Sequence, residues 1–285
     1  MQPDSREAQR EMRAGLVMAG FFLATSWTAI LLAGPLTHSG LAVGLGALLA
    51  AFGLFRWATR KSRHRHFVLA RPFPEAWNRI LEEYVGFYHS LPDPEKKRFR
   101  TQLQVFLDEV RITGIQTEVD DTVRVLVGAS AVIPIFGFRD WDYFNLGEIL
   151  VFPGYIENHT RETSQASSNL ILGQVQGWQN HQVMKLSKPS LLKGFKDMRD
   201  KINVGIHEFA HILDHADGQI DGIPAAWLPQ HLVEPWTELM YREMERIRQG
   251  NSRLRAYGAT NEAEFFAVAT EYFFEHPQDL AKDHP

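Results

Sequence analysis

Two histidines four residues apart, His207 and His211, set the tightest condition on how this chain can fold. They stand in the run His207-Glu208-Phe209-Ala210-His211, and on an α-helix residues at i and i+4 project from one face. The flanks favour a helix: Ile202, Ile206, Phe209, Ala210 and Leu213 make an apolar stripe, and Gly218 can end it. Such a helix must pack into a core, and its imidazoles then need either an ion or carboxylate partners. Glu208 adjoins the first histidine, where it can take a proton from a metal-activated water without itself being a ligand. Zinc lowers the pKa of a bound water to roughly 7, which brings hydrolysis of a carbonyl group within reach at neutral pH. The plainer alternative is a structural helix whose buried histidines are held by nearby acids.

A catalytic zinc site takes three protein ligands, and the chain has no cysteine, so the third must be His, Asp or Glu. The same absence excludes a disulfide scaffold and a Cys nucleophile. Asp217 follows His211 by six residues, but Asp214 stands where a glycine would be needed to turn the chain back. His215 continues the four-residue spacing, yet three ligands along one straight helix do not converge on a tetrahedral ion. The segment from Asn261 to Tyr272 reads as a further helix, with Phe265, Val268, Ala269 and Tyr272 as its core stripe. Glu264 and Glu271 share another of its faces, and spacing alone ranks them equally as ligands. Glu264 is also placed to close a capping box with Asn261.

The N-terminal region differs from the rest. From Ala14 to Phe55 there is no Asp, Glu, Lys or Arg. Residues 14–34 and 40–58 are each long enough to cross a hydrocarbon core of roughly 30 Å as helices, with Pro35, His38, Ser39 and Gly40 breaking the run between them. Gly44, Gly46 and Gly53 would let the two spans pack closely. A second span argues against a cleaved signal peptide. Arg6, Arg10 and Arg13 precede the first span, and Arg56, Arg60, Lys61, Arg63 and Arg65 follow the second. The positive-inside rule therefore predicts a multi-pass inner-membrane protein with both ends cytoplasmic and its basic segment at the lipid headgroups. A net charge of −4, with acids and bases intermixed, does not support direct nucleic-acid binding.

This divides the chain into a transmembrane hairpin with its basic segment (1–66) and a second domain (67–285). In the latter, 74–89 and 94–110 carry apolar residues at helical spacing, such as Trp77, Ile80, Leu81 and Tyr84. Residues 122–136 are apolar throughout and fit a buried helix or a strand. Residues 148–153, 170–175 and 183–186 have strand character, 155–169 read as a polar loop, and the chain beyond is mainly helical apart from a Gly/Pro-rich stretch over 218–229.

Several separate stretches, in order, resemble the Mlc titration factor A family of bacterial zinc metallopeptidases, whose catalytic core is similar to that of anthrax lethal factor. They are Arg71-Pro72-Phe73-Pro74-Glu75-Ala76-Trp77, Val105-Phe106-Leu107, Ile149-Leu150-Val151-Phe152-Pro153, His207 to Asp214 and Tyr257 to Ala267. The resemblance implies an α+β, zincin-like metallopeptidase domain, an active-site helix with a small sheet, behind the transmembrane hairpin. It implies one Zn2+ per chain on His207, His211 and Glu264, with Glu208 as general base and Tyr257 as donor to the oxyanion. Asp214 and Glu271 are then candidates to orient the ligand imidazoles. It further implies a peptide or protein substrate and, since family members can engage a transcriptional repressor, such a repressor as a partner. The competing reading is a membrane-tethered regulatory or binding protein with little or no turnover. Two departures stand out. Lys188-Pro189 follows Leu186-Ser187 where the family usually has an aromatic and acidic pair, which bears on residues 183–186 as an edge strand for peptide pairing. The chain also ends at His284-Pro285, short of a further helical segment expected from the family.

Overall fold

The computed structural model describes residues 38–138, 143, 146–154, 156–157, 170–171, 173–178, 181–196 and 202–283, besides 17, 20 and 24. The chain divides into two compact units, Met1–Pro72 and Phe73–Pro285. The first contains helices α1 (His38–Ala58) and α2 (Arg60–Leu69).

The expected transmembrane hairpin is overturned. Among the described residues no helix is long and apolar enough to cross a membrane. The span expected over 14–34 lies outside the described residues except for Val17, Gly20 and Ala24. The uncharged part of α1 runs only from Ser39 to Phe55 before Arg56 interrupts it, and Gly40, Gly44, Gly46 and Gly53 dilute its apolar character. A span takes about 20 predominantly apolar residues. Helix α2 then opens with Arg60 and Lys61 and is strongly polar. The multi-pass inner-membrane location, the cytoplasmic orientation and the lipid partner were inferred from the hairpin and fall with it.

The second unit runs α3 (Glu75–Tyr84), α4 (Gly86–Ser90), α5 (Asp93–Glu109), β1 (Arg111–Gly114), α6 (Asp121–Ile135), β2 (Leu146–Phe152), β3 (Ile156–Glu157), β4 (Leu170–Ile171), β5 (Gly173–Trp178), β6 (His181–Ser187), α7 (Lys188–Lys196), α8 (Val204–Asp214), α9 (Gln230–Arg248), α10 (Glu262–Glu275) and α11 (Pro277–Asp283). The fold class is corrected accordingly. In place of an α+β domain behind a membrane hairpin, the chain is mostly helical, with a small sheet in the order β1-β2-β6-β5 and a β3–β4 ribbon. Strands β1, β2 and β6 are parallel, and β5 is antiparallel to β6.

This order also corrects the expectation that residues 183–186 form an edge. Strand β6 pairs with β2 on one side and β5 on the other, so its backbone is used twice. The edge beside the histidine helix is β5, which packs against α8.

Helix α6 resolves the ambiguous apolar stretch. Asp120 caps it by accepting the Val123 N–H at 2.8 Å, and Val123 and every residue from Val125 to Ile135 are buried. A helix enclosed on all sides has no polar face, so no helical period is written into its sequence. Helix α8 crosses α6 at a point where only glycine fits. A Cβ on Gly205 would lie 1.9 Å from Ser130 Oγ and 2.6 Å from Ser130 Cβ. Further along α8, Phe209 packs on Tyr143 and Phe106, with ring centroids 4.9 and 5.7 Å away. The Tyr143 hydroxyl donates to the Ala131 carbonyl on α6 at 2.7 Å.

Two hydrophobic clusters result. The larger gathers around α5, α6, α8 and the sheet, and the smaller joins α9 to α10 through Met240, Met244, Leu254, Phe265, Val268 and Tyr272. Helix α10 belongs to both, since Phe266 and Phe274 pack on the larger one. Gly205→Ala is expected to destabilise the protein by roughly 1–3 kcal/mol, the usual cost of overpacking a core. Chemical denaturation measures it, and an unchanged midpoint would show that α6 and α8 do not meet this closely.

Candidate metal centre

Helix α8 begins at an N-cap. Asn203 is in the β region (φ −128°, ψ 95°), and its Oδ1 accepts the Ile206 N–H at 3.1 Å, satisfying one of the free donors of the first turn. Every residue of the helix except His211 is buried. The His207 and His211 rings lie 4.8 Å apart, nearly perpendicular. A second N-cap begins α10: Asn261 Oδ1 accepts the Glu264 N–H at 2.9 Å. The capping is real, yet the Glu264 carboxylate is turned towards α8. Its Oε2 lies 2.9 Å from His207 Nε2 and 3.6 Å from His211 Nε2.

These three residues offer ligand atoms that all lie within 4.8 Å of one another. A tetrahedral ion with ~2.0–2.1 Å bonds holds its ligand atoms about 3.3 Å apart, and the two separations from Glu264 bracket that value. The donor set of two imidazoles and one carboxylate suits zinc. His215 and Asp217 do not join it: they form the short 3-10 turn after α8, where Asp217 Oδ1 accepts the Gln219 N–H.

Glu271 lies behind His207. Its Oε1 is 2.7 Å from His207 Nδ1 and also accepts from Arg255 Nη2, while its Oε2 accepts the Asn203 N–H at 2.6 Å. A carboxylate there keeps the proton on Nδ1, so that Nε2 is the nitrogen that would give up its proton and bind a metal. Burial alone would lower the His207 pKa, but the carboxylates of Glu264 and Glu271 on either side raise it to about 10. Burial would raise Glu264, but hydrogen bonds from His207 and His211 hold it well below the usual carboxylate range.

Glu208 is buried, and its Oε2 has no hydrogen-bond partner among the described residues. Burial pushes its pKa up to about 7, against the pull of the two imidazoles. Tyr257 sits in a 3-10 turn (Ala256–Ala259), 6.0 Å from the His207 ring, and is 50% exposed, so its phenol borders the open side of the site. Burial of its inner part and the Glu264 carboxylate raise its pKa, which keeps it a donor.

Asp214 has a different task from the one expected. No hydrogen bond joins it to either imidazole; its Oδ2 accepts the Gly222 N–H at 3.0 Å, and burial pushes its pKa up to about 6. Three contributors were not anticipated: Asn203, Arg255 and Gly222. Asn203 carried a usable signal, a capping residue just before an apolar helical run. Arg255 and Gly222 carried none, since their roles rest on contacts with distant segments. Lys188, at the departure from the family pattern, is turned towards α6. Its Nζ donates to the Glu118 carbonyl at 2.8 Å and faces Asp120 at 3.6 Å.

Residues 57–285 match a family described as glucose-regulated metallo-peptidase M90. An uncharacterized protein of Synechocystis is 27% identical over 255 residues, covering 86% of this chain and 90% of that protein. Mlc titration factor A of Escherichia fergusonii is 28% identical over 220 residues, covering 70% and 78% respectively. The protein of that name from Escherichia coli is 24% identical over 248 residues, covering 80% and 86%.

Zinc at a hundred times its dissociation constant should stabilise the folded chain by about 2.7 kcal/mol. The rise in thermal midpoint should be reversed by a chelator and absent in His207→Ala. Glu271→Gln should keep a partner for the Asn203 N–H but weaken zinc binding roughly 10- to 100-fold, as loss of a ligand's supporting acid generally does. Competition with a chromophoric chelator measures this, and wild-type affinity in that variant would remove Glu271 from the support of the site.

Proposed function

We propose that this chain, which belongs to the glucose-regulated metallo-peptidase M90 family, is a zinc-dependent peptidase with His207, His211 and Glu264 as ligands of one ion and Glu208 as general base. One observation carries the reading. Both imidazole Nε2 atoms face a single oxygen of Glu264, while Glu208, next to His207, holds a buried carboxylate oxygen with no hydrogen-bond partner among the described residues. A structural helix has no use for that last feature, since an unpaired buried acceptor costs roughly 1–3 kcal/mol.

A zinc ion bound there supplies Lewis-acid polarisation of the scissile carbonyl and acidifies the attacking water. The remaining work falls to the protein's own groups. Glu208, whose carboxylate is made more basic by burial, takes the proton of the attacking water and can return it to the leaving amine. Tyr257, held protonated, donates a hydrogen bond to the oxygen that gains charge as the carbonyl becomes tetrahedral. Glu271 holds His207 in one tautomer and one orientation.

The substrate is a peptide in extended form. Strand β5 packs on α8 and, among the described residues, has no strand on its other side, so its outer backbone can pair with a peptide running past the metal position. This replaces residues 183–186, whose backbone is already paired on both sides.

A second reading concerns partnership. Relatives of this chain carry the name Mlc titration factor A, which describes those proteins by Mlc. Engagement of a transcriptional repressor by this chain is supported by that name and is compatible with hydrolysis. Glu208→Gln should bind zinc as tightly as the wild type while cleavage of a peptide library falls by about 10²–10⁴, the usual range for a general base. Tyr257→Phe should lose about 10²–10³ in kcat, as removal of one oxyanion donor does. Zinc at one per chain without cleavage of any peptide by the wild type would favour the binding role alone.

A further inference from the structure

We propose that Gly222 is a positioning residue for the metal centre: it sets the separation between the helix carrying His207 and His211 and the helix carrying Glu264. This rests on the assignment of those three residues as metal ligands. Gly222 lies in the connection between α8 and α9 and touches three helices at once. Its N–H donates to Oδ2 of Asp214, the buried last residue of α8, at 3.0 Å. Its carbonyl accepts from Trp236 Nε1, on α9, at 2.8 Å. Against α10 there is no room at all: a Cβ on Gly222 would lie 2.3 Å from the Glu262 carbonyl oxygen and 2.7 Å from its carbon, besides 3.0 Å from Met240 Sδ on α9.

Glu262 is the first residue of α10, two before Glu264. The closest atoms belong to its backbone, so no side-chain rotation relieves the contact. The loop cannot withdraw without breaking its bonds to Asp214 and Trp236. A side chain at 222 therefore pushes the first turn of α10 away from α8, and Glu264 moves with it. Metal–ligand distances tolerate about ±0.2 Å, far less than the displacement that a 2.3 Å contact demands. The Asp214 interaction acquires a purpose in the same way: it holds the spacer against the end of the histidine helix.

Gly218 provides the control. It too has a positive φ, 94° against 72° at Gly222, but a Cβ there meets nothing within 4 Å. Alanine at either position carries the strain of a left-handed backbone, and only alanine at 222 strikes α10. The experiment compares full-length wild type, Gly222→Ala and Gly218→Ala for zinc affinity, by competition with a chromophoric chelator, and for the visible spectrum of the Co2+-loaded protein. Circular dichroism establishes that each is folded. Gly222→Ala should bind zinc at least about tenfold more weakly, the lower end of the range for a disturbed ligand support, with altered cobalt bands. Gly218→Ala should resemble the wild type in both. Equal affinities for the two variants overturn the proposal.

Should Gly222→Ala fail to fold, Trp236→Phe releases the Gly222 carbonyl and adds no atom. It is expected to weaken zinc binding several-fold, and unchanged affinity there overturns the proposal as well. A wild-type protein that takes up no zinc overturns the ligand assignment itself, which separates that failure from failure of the spacer.

Discussion

The carboxylate of Glu271 is the interaction on which the site depends. It is almost wholly buried, yet it accepts from an imidazole, a backbone N–H at a helix start and a guanidinium. Hydrogen bonds to a buried charge contribute more than neutral ones, roughly 1.5–3 kcal/mol each, and losing the acceptor leaves buried donors unpaired. The three donors come from separate parts of the chain: His207 within α8, Asn203 at its N-cap, and Arg255 just before the turn that carries Tyr257. One acid therefore fixes the entry of the histidine helix, the tautomer of a ligand and the base of the loop bearing the phenol. Arg255 also supplies from its own carbonyl the acceptor for Gly258 N–H that closes the Tyr257 turn.

Helix α10 is the frame that makes this arrangement possible. Glu264 and Glu271 are seven residues apart, about two helical turns, so both project from the side facing α8. They meet the two ring nitrogens of one histidine, Glu264 on Nε2 and Glu271 on Nδ1. Two acids of the same type on the same face thus take different tasks because His207 lies between them. Other side chains of the helix pack into both cores: Phe265, Val268 and Tyr272 lie in one cluster, and Phe266 and Phe274 reach the other. Any shift of α10 relative to α8 therefore changes both the cores and the metal position, which is why the contacts between these helices leave so little slack.

Legibility in the sequence followed the physics of each element. Helix α8 was legible because its histidines and apolar stripe act within one segment, although it ends at Asp214 and Gly218 closes the 3-10 turn that follows. Helix α6 was not, because complete burial removes the polar face on which periodicity depends. Helix α3 ends earlier than its apolar pattern, since Val85 leaves helical geometry (φ −108°, ψ 88°) and a short separate helix follows. Residues 183–186 proved internal to the sheet, because strand character in a segment says nothing about its neighbours. The uncharged N-terminal stretch was over-read: absence of charge is necessary for a membrane span, but length and apolar density are needed as well, and the glycines and Arg56 of α1 reduce both.

By itself the sequence determined the chemistry available: two histidines on one helical face, an acid beside them, no cysteine to compete, and two further acids on a second helix. These are local properties, set by the 3.6-residue period and by side-chain type. Tertiary structure alone decided how those groups are used. It turned Glu264 towards both imidazoles and placed Glu271 behind one of them, drew Asp214 away to Gly222, and brought Tyr257 to the open side. The physical reason is that each of these relations is a distance between segments far apart in the chain. Such distances are fixed by what packs between the helices, down to a single absent Cβ.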